Sequence, residues 1–263
     1  MREKTSKHDG SRRGMVALPP RVAAQTLLDK LQRHTPLEEA DRQAIFTLPF
    51  RVQAMVPGQD FSGDPGTCAL LVSGNAAQHA TFAEGRRQFV SFHFPGEWPG
   101  QHPLATFEPE HTACALDHAN VAYVSRSSLA SVADLHPRIR NALANETALQ
   151  HAILVQAVLN NGLREKPQAV AHLLCELYMR ARNAGMCRDG QCPFPLTQAK
   201  MAAALGMSIV TMNRTLQELR TLGAFELSYG RLTMHEYSKL AAFAGFDESY
   251  LRYSTAFSPT PKS

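Results

Sequence analysis

Leu196-Thr-Gln-Ala-Lys-Met-Ala-Ala-Ala-Leu-Gly206-Met-Ser-Ile-Val-Thr-Met-Asn-Arg-Thr-Leu-Gln-Glu-Leu-Arg220 reads as two short helices broken at Gly206. Met201 and Leu205 mark an inward face before the break, and Met212, Leu216 and Leu219 mark one after it. Ala202 is small where the helices must cross closely, and Gly206 can take the left-handed conformation of a tight helix–helix turn. Ser208 sits where an N-cap belongs, its hydroxyl available to the free N–H groups of the second helix. The opposite face of that helix carries Val210, Asn213, Arg214 and Gln217, side chains suited to base edges and phosphates.

An ordinary helical hairpin would show the same glycine, so the residues after the pair decide between the readings. Phe225-Glu-Leu-Ser-Tyr-Gly-Arg-Leu-Thr233 alternates around a Ser-Tyr-Gly turn, as a β-hairpin should. A helix pair closed by such a hairpin is a winged helix-turn-helix. The expected DNA contacts are Thr197, Gln198, Ser208, Ile209, Val210, Thr211, Asn213, Arg214, Gln217 and Arg220, with Tyr229 and Arg231 from the wing.

The chain of 263 residues is long enough for one large or two modest domains, and its 44% hydrophobic content is ordinary for a soluble protein. No apolar run approaches the roughly 18–20 residues of a membrane span, and the N-terminus lacks a secretory h-region. A cytoplasmic location without membrane contact is expected. The net charge of +4 hides a division. Residues 1–21 carry six Lys/Arg against two acids, residues 22–136 seven against twelve, and residues 137–263 fourteen against nine. An acidic front half and a basic back half fit a regulatory module joined to one that approaches phosphates. The basic start, with Lys4, Lys7, Arg12 and Arg13 among Ser and Gly, reads as a disordered tail.

Cys68, Cys114, Cys175, Cys187 and Cys192 are odd in number and lack framework spacing, so reduced thiols are expected. Cys187 and Cys192 flank a Gly-containing loop, where a redox pair is the rival reading. A zinc site there would want further Cys or His at ligand spacing. No nucleophile motif, phosphate-cradling glycine loop or metal-ligand cluster points to an enzyme.

Val22–His34 and Pro36–Thr47 read as short helices, the second with Thr35 as N-cap before Pro36. From Phe50 to Val124, short apolar runs alternate with turns such as Pro57-Gly58, Ser73-Gly-Asn75 and Pro95-Gly96, suggesting an antiparallel barrel or sandwich. Cys68–Val72, Gln88–Phe92 and Val121–Val124 are its clearest strands. A short helix starts at Ser127 and stops near His136. Pro137 to Asn161, free of internal Pro or Gly, predicts one long helix with Ile139, Leu143, Ile153, Leu154, Ala157 and Val158 in an apolar stripe. Such a stripe needs a partner, its own barrel and the same helix of a second subunit both serving. Pro167 opens a further helix that turns Val170, Leu173, Leu174, Leu177 and Tyr178 inward, and residues 185–192 read as a loop.

A β-rich module, a long helix and a terminal winged helix resemble the Crp/Fnr superfamily of bacterial transcription regulators. The resemblance runs from about residue 22 to residue 253 and is carried by Gly85-Arg-Arg-Gln-Phe-Val-Ser-Phe-His-Phe-Pro-Gly-Glu-Trp98, Val170-Ala-His-Leu-Leu-Cys-Glu-Leu-Tyr178 and Pro195 through Leu219. These last two, with Leu240–Leu251, look like a proteobacterial branch whose effectors are mostly unknown. The resemblance implies an α+β fold: a jelly-roll or double-stranded β-helix of cyclic-nucleotide-binding type over residues 21–136 as sensor, a dimerisation helix over 137–162, and a winged helix-turn-helix over 163–254. A basic tail over 1–20 and a flexible tail over 255–263 flank them. It also implies a homodimer reading a two-fold symmetric operator in double-stranded DNA, with RNA polymerase and a small-molecule effector as further partners.

Arg214 matches a near-constant family arginine that contacts guanine, a bidentate pair worth about 1–3 kcal/mol of discrimination. Val210 stands where many members have glutamate, and cannot accept a hydrogen bond from cytosine, so an unusual operator is expected. In the sensor, Gln101 and His111-Thr112-Ala113 match the positions that hold ribose and phosphate in cyclic-nucleotide members. Without the family's arginine, tight cyclic-AMP binding is not expected. The candidate effector pocket is Arg87, Trp98, Gln101, His102, His111 and Thr112. No cofactor or metal is expected. Cys68 is the first cysteine, which opposes an N-terminal iron–sulfur site, and scattered histidines are a weak signal for haem. The alternatives are a winged helix that binds protein, or a haem- or thiol-based redox sensor built on the same regulator.

Overall fold

The computed structural model describes residues 16–83, 85–100, 103–105 and 112–251. Most of the expected basic tail, the final tail, and Gln101, His102 and His111 therefore lie outside the described residues.

Helix α1 (Pro20–Leu31) buries Ala23, Ala24, Leu27, Leu28 and Leu31 at helical spacing. It starts at Pro20, earlier than expected, because a proline suits the first turn, where its missing N–H costs nothing. It also ends earlier than His34, where Thr35 N–H closes back onto Leu31 O at 3.1 Å. Helix α2 (Glu39–Phe46) correspondingly begins later than Pro36. Glu38 is the N-cap in place of the expected Thr35, and the Asp41 carboxylate accepts its N–H at 2.9 Å in a capping box.

Seven strands come next: β1 (Arg51–Met55), β2 (Asp60–Phe61), β3 (Thr67–Ser73), β4 (Ala76–Thr81), β5 (Arg87–His93), β6 (Thr112–Ala115) and β7 (Ala119–Ser125). They form an antiparallel sheet in the order β1-β7-β3 and another in the order β2-β6-β4-β5. Strand β3 is buried from Cys68 to Val72, because alternate residues serve different cores. Ala69 and Leu71 join Met55, Phe61, Ala115 and Val121 between the sheets. Cys68, Leu70 and Val72 meet Leu27, Leu31, Trp98 and Leu129 on the helical side.

Helix α3 (Arg126–Leu135) is capped by Ser125, which accepts the Ser128 N–H at 3.1 Å. Helix α4 (Pro137–Gly162) runs for 26 residues. It buries Ile139, Leu143, Leu149 and Ile153, but leaves Leu154, Val155 and Val158 exposed at 38%, 44% and 70%. Helix α5 (Lys166–Asn183) is buried at every position from Ala169 to Ala181, a helix enclosed on all sides.

The C-terminal unit contains β8 (Gln191–Pro193), α6 (Gln198–Ala204), α7 (Ile209–Arg220), β9 (Phe225–Ser228), β10 (Arg231–Met234), α8 (Tyr237–Ala244) and a 3₁₀ turn at Glu248–Leu251. The wing is a three-stranded sheet in the order β8-β10-β9. Strand β8 lies within what the sequence suggests is loop, since three residues are too few to show alternation. Cys187 and Cys192, expected as thiols, form a disulfide across the turn leading into β8, while Cys68, Cys114 and Cys175 are free and buried. The four-stranded sheet packs its outer face on this unit: Ala77, Phe89, Phe92 and Cys114 share a core with Leu174, Met201, Met212 and Leu232.

Candidate nucleic-acid interface

The turn between α6 and α7 is built as its residues require. Gly206 has φ +58°, and a Cβ there would come within 3.1 Å of Asn161 Oδ1. Asn161, near the end of α4, donates from Nδ2 to Ala204 O at 3.2 Å, so the long helix caps the carbonyl end of α6. Thr197 and Ser208 are the N-caps of α6 and α7, accepting the N–H groups of Lys200 at 3.2 Å and Thr211 at 3.1 Å. Met201, Ala202, Met212, Leu216 and Leu219 are buried between the helices, α5 and the wing.

The other face of α7 is open to solvent. Ile209 and Val210 are 53% and 79% exposed, and Asn213, Arg214, Gln217 and Arg220 are exposed beside them. Tyr229 is fully exposed at the wing tip with φ +48°, and Arg231 is exposed next to it. Among the described residues, Arg214, Arg220 and Arg231 make no ion pair, which leaves three guanidinium groups unneutralised on this side. Thr211 is half-buried and its hydroxyl meets Ser208 Oγ at 2.9 Å. Gln198 is half-buried at the start of α6. The twelve expected contact residues thus divide into an exposed α7 face, two caps, the α6 start and the wing.

The candidate effector residues are placed differently. Arg87 makes a two-pronged pair with Asp60, at 3.1 and 2.7 Å, on the four-stranded sheet. Trp98 is buried in the core beneath α1, α3 and α4, and Thr112 is exposed at the start of β6. The structure therefore does not gather Arg87 and Trp98 around one apolar core.

A buried ion cluster holds the C-terminal unit against the rest, and sequence reasoning missed it. Glu97, in the turn after β5, receives Lys30 of α1 at 3.2 Å and Arg180 of α5 at 2.8 Å. Lys30 also meets Glu146 of α4 at 3.2 Å, and Glu146 pairs with His34 at 2.7 Å. Arg180 further reaches Phe92 O and Glu176, whose other oxygen accepts from Tyr250 Oη at 2.9 Å. Burial pushes the Glu97 carboxyl up, but Arg180 and then Lys30 outweigh it and hold the group well below its usual range. Burial lowers the neighbouring His93. The signal in the chain is a charge inside an otherwise apolar stripe: Lys30 between Leu28 and Leu31, and Arg180 after Leu177-Tyr-Met.

Comparison with known proteins agrees with this architecture. Residues 168–243 match the Crp-like helix-turn-helix domain family. The chain is 23% identical over 198 residues to the anaerobic regulatory protein of Aggregatibacter actinomycetemcomitans, covering 73% of this chain and 74% of that protein. It superposes on FixK2 of Bradyrhizobium japonicum with a TM-score of 0.65 at 21% identity, covering 74% and 98% of the two chains. For TTHB099, a CRP-family transcriptional regulator of Thermus thermophilus, the TM-score is 0.58 at 18% identity, covering 73% and 96%. Residues 168–243 thus carry a Crp-like helix-turn-helix domain, joined by a long helix to a β-roll in the fold of Crp/Fnr-type transcription regulators.

Proposed function

We propose that the protein acts as a homodimer that lays α7 of each subunit into successive major grooves of a two-fold symmetric operator. The carrying observation is the division of α7: Met212, Thr215, Leu216 and Leu219 are buried, while Ile209, Val210, Asn213, Arg214 and Gln217 form one exposed face. On this reading Arg214 donates to guanine O6 and N7, Asn213 meets adenine, and Val210 meets a thymine methyl. Arg220, Tyr229 and Arg231 contact the backbone and so fix position rather than sequence. Thr197, Gln198, Ser208 and Thr211 border the groove.

The second subunit packs along the C-terminal half of α4, where Leu154, Val155 and Val158 make an exposed apolar row at helical spacing. The β-roll is the module through which an effector other than cyclic AMP shifts the arrangement of the two reading heads, and RNA polymerase is the partner of the DNA-bound dimer in the cytoplasm. Selection of bound sequences from a random duplex pool tests this directly. Paired half-sites with centres about 34 Å apart are expected. A single unpaired half-site would rule out the dimeric reading.

A further inference from the structure

On the four-stranded sheet, Asp60, His79 and Cys114 bring a carboxylate oxygen, an imidazole nitrogen and a thiol sulfur within 4.8 Å of one another. The sheet register accounts for this. Asp60 of β2 lies directly opposite Cys114 of β6, so both side chains leave the same face. His79 of β4 pairs with Thr112, two residues along β6 from Cys114, and therefore shares that face. We propose that these three residues form a binding site for a divalent transition metal of the zinc class.

The donor set fits such an ion: one sulfur, one nitrogen and one oxygen suit zinc, cobalt or ferrous iron, and fit calcium or magnesium poorly. His79 Nε2 points at Asp60 Oδ1 from 3.1 Å, while its Nδ1 meets the Thr81 hydroxyl at 3.3 Å. That second contact orients the ring, as the outer partner of a ligating histidine does. His79 and Cys114 are buried, whereas the Asp60 side chain is 40% exposed and leaves an approach from solvent. Phe89 stands edge-on to the imidazole at 6.2 Å and gives the site an apolar wall.

Arg87 is the natural competitor. Its guanidinium holds both Asp60 oxygens and supplies the positive charge that the ion would bring. On binding, the metal–sulfur bond forms as the Cys114 thiol proton leaves to solvent, and Asp60 turns from Arg87 to the ion. One thiolate and one carboxylate then neutralise a divalent charge, and Arg87, 39% exposed, returns to water. The site lies where the sheet meets the helix pair: Gln88 of β5 donates to Ala204 O of α6 at 3.3 Å. Metal binding on this sheet is independent of how α7 reads DNA.

The test is titration of the full chain with Co²⁺ in a Cys187→Ser/Cys192→Ser background, under reductant. The expected result is a thiolate-to-cobalt charge-transfer band that saturates at one ion per chain and is displaced by Zn²⁺. Cys114→Ser should abolish the band, Thr81→Val should weaken binding about tenfold, and Arg87→Gln should tighten it. Asp60→Asn, at a half-exposed position, decides the matter should Cys114→Ser fail to fold, and should weaken binding more than Thr81→Val does. Absence of the band in the parent chain, its survival in Cys114→Ser, or indifference to both Asp60→Asn and Arg87→Gln would overturn the proposal.

Discussion

Arg180 Nη2 lies 2.8 Å from Glu97 Oε2, with the two side chains only 1% and 2% exposed. The pair spans the molecule's main seam, since Glu97 belongs to the β-roll and Arg180 to the helix at the centre of the DNA-binding unit. The same carboxylate also receives Lys30, so α1, the roll and α5 meet at one charge. Removing one partner of such a pair is costly because the other charge stays buried. Arg180→Met should therefore lose about 3–5 kcal/mol in urea denaturation. The Glu97→Gln/Arg180→Met double variant should lose less than the two single variants added together.

Acid should weaken the fold through His172. Burial, then the Arg164 charge, lowers its pKa to about 3, and it packs against Phe246 at 4.9 Å. The unfolded chain takes up a proton near the ordinary value of 6.5, whereas the folded chain does not. Stability is therefore greatest above that value and falls as pH drops below it, by about 1.4 kcal/mol per unit for this group. Denaturation midpoints compared at pH 7.5 and 5.5 should show the fall, and His172→Leu should reduce its slope.

Reduction of Cys187–Cys192 should loosen the root of the wing. The disulfide joins residues five apart and anchors β8, which pairs with β10 through Cys192 opposite Leu232. A loop this short places the expected loss near the low end, about 2 kcal/mol. Urea unfolding with and without reductant measures it, and a thiol titre under denaturation should give three per chain before reduction and five after it.

The exposed row on α4 predicts the oligomeric state. Val155→Glu/Val158→Glu places charge where a second subunit would pack, while neither side chain is buried within one chain. Sedimentation velocity should show a dimer for the parent and a monomer for the variant, with the melting of secondary structure little changed after allowing for dissociation. A variant that remains dimeric would move the interface elsewhere.

Much of this molecule is written locally, and that part is legible in the sequence. Gly206 and Ser208 mark the turn and cap of the helix pair, and Ser228-Tyr-Gly230 marks the wing, because each acts through residues a few positions away. Long-range partners leave no such mark. Lys30 and Glu97 are 67 residues apart, and Glu97 and Arg180 are 83 apart. Asn161 reads as one polar residue at a helix end, although it holds Ala204 O across 43 residues. The Cys187–Cys192 disulfide is short-range, but an odd cysteine count points toward thiols and not a bridge. At α2, Thr35-Pro36 is a good local cap and draws the expected start too early, because the competing cap at Glu38 uses the Asp41 carboxylate three residues later.

DNA reading is assigned to the exposed face of α7, and Arg214 is the residue on which that assignment is sharpest. Fluorescence anisotropy of the parent and Arg214→Ala on a selected operator duplex, over a salt series, measures its part. The expected result is a loss of about 1–3 kcal/mol for Arg214→Ala on the operator, with discrimination relaxed at the contacted guanine. Parent affinity should also fall steeply with salt as phosphate contacts release counterions. Equal affinity of parent and variant for the operator at every salt concentration would refute the assignment.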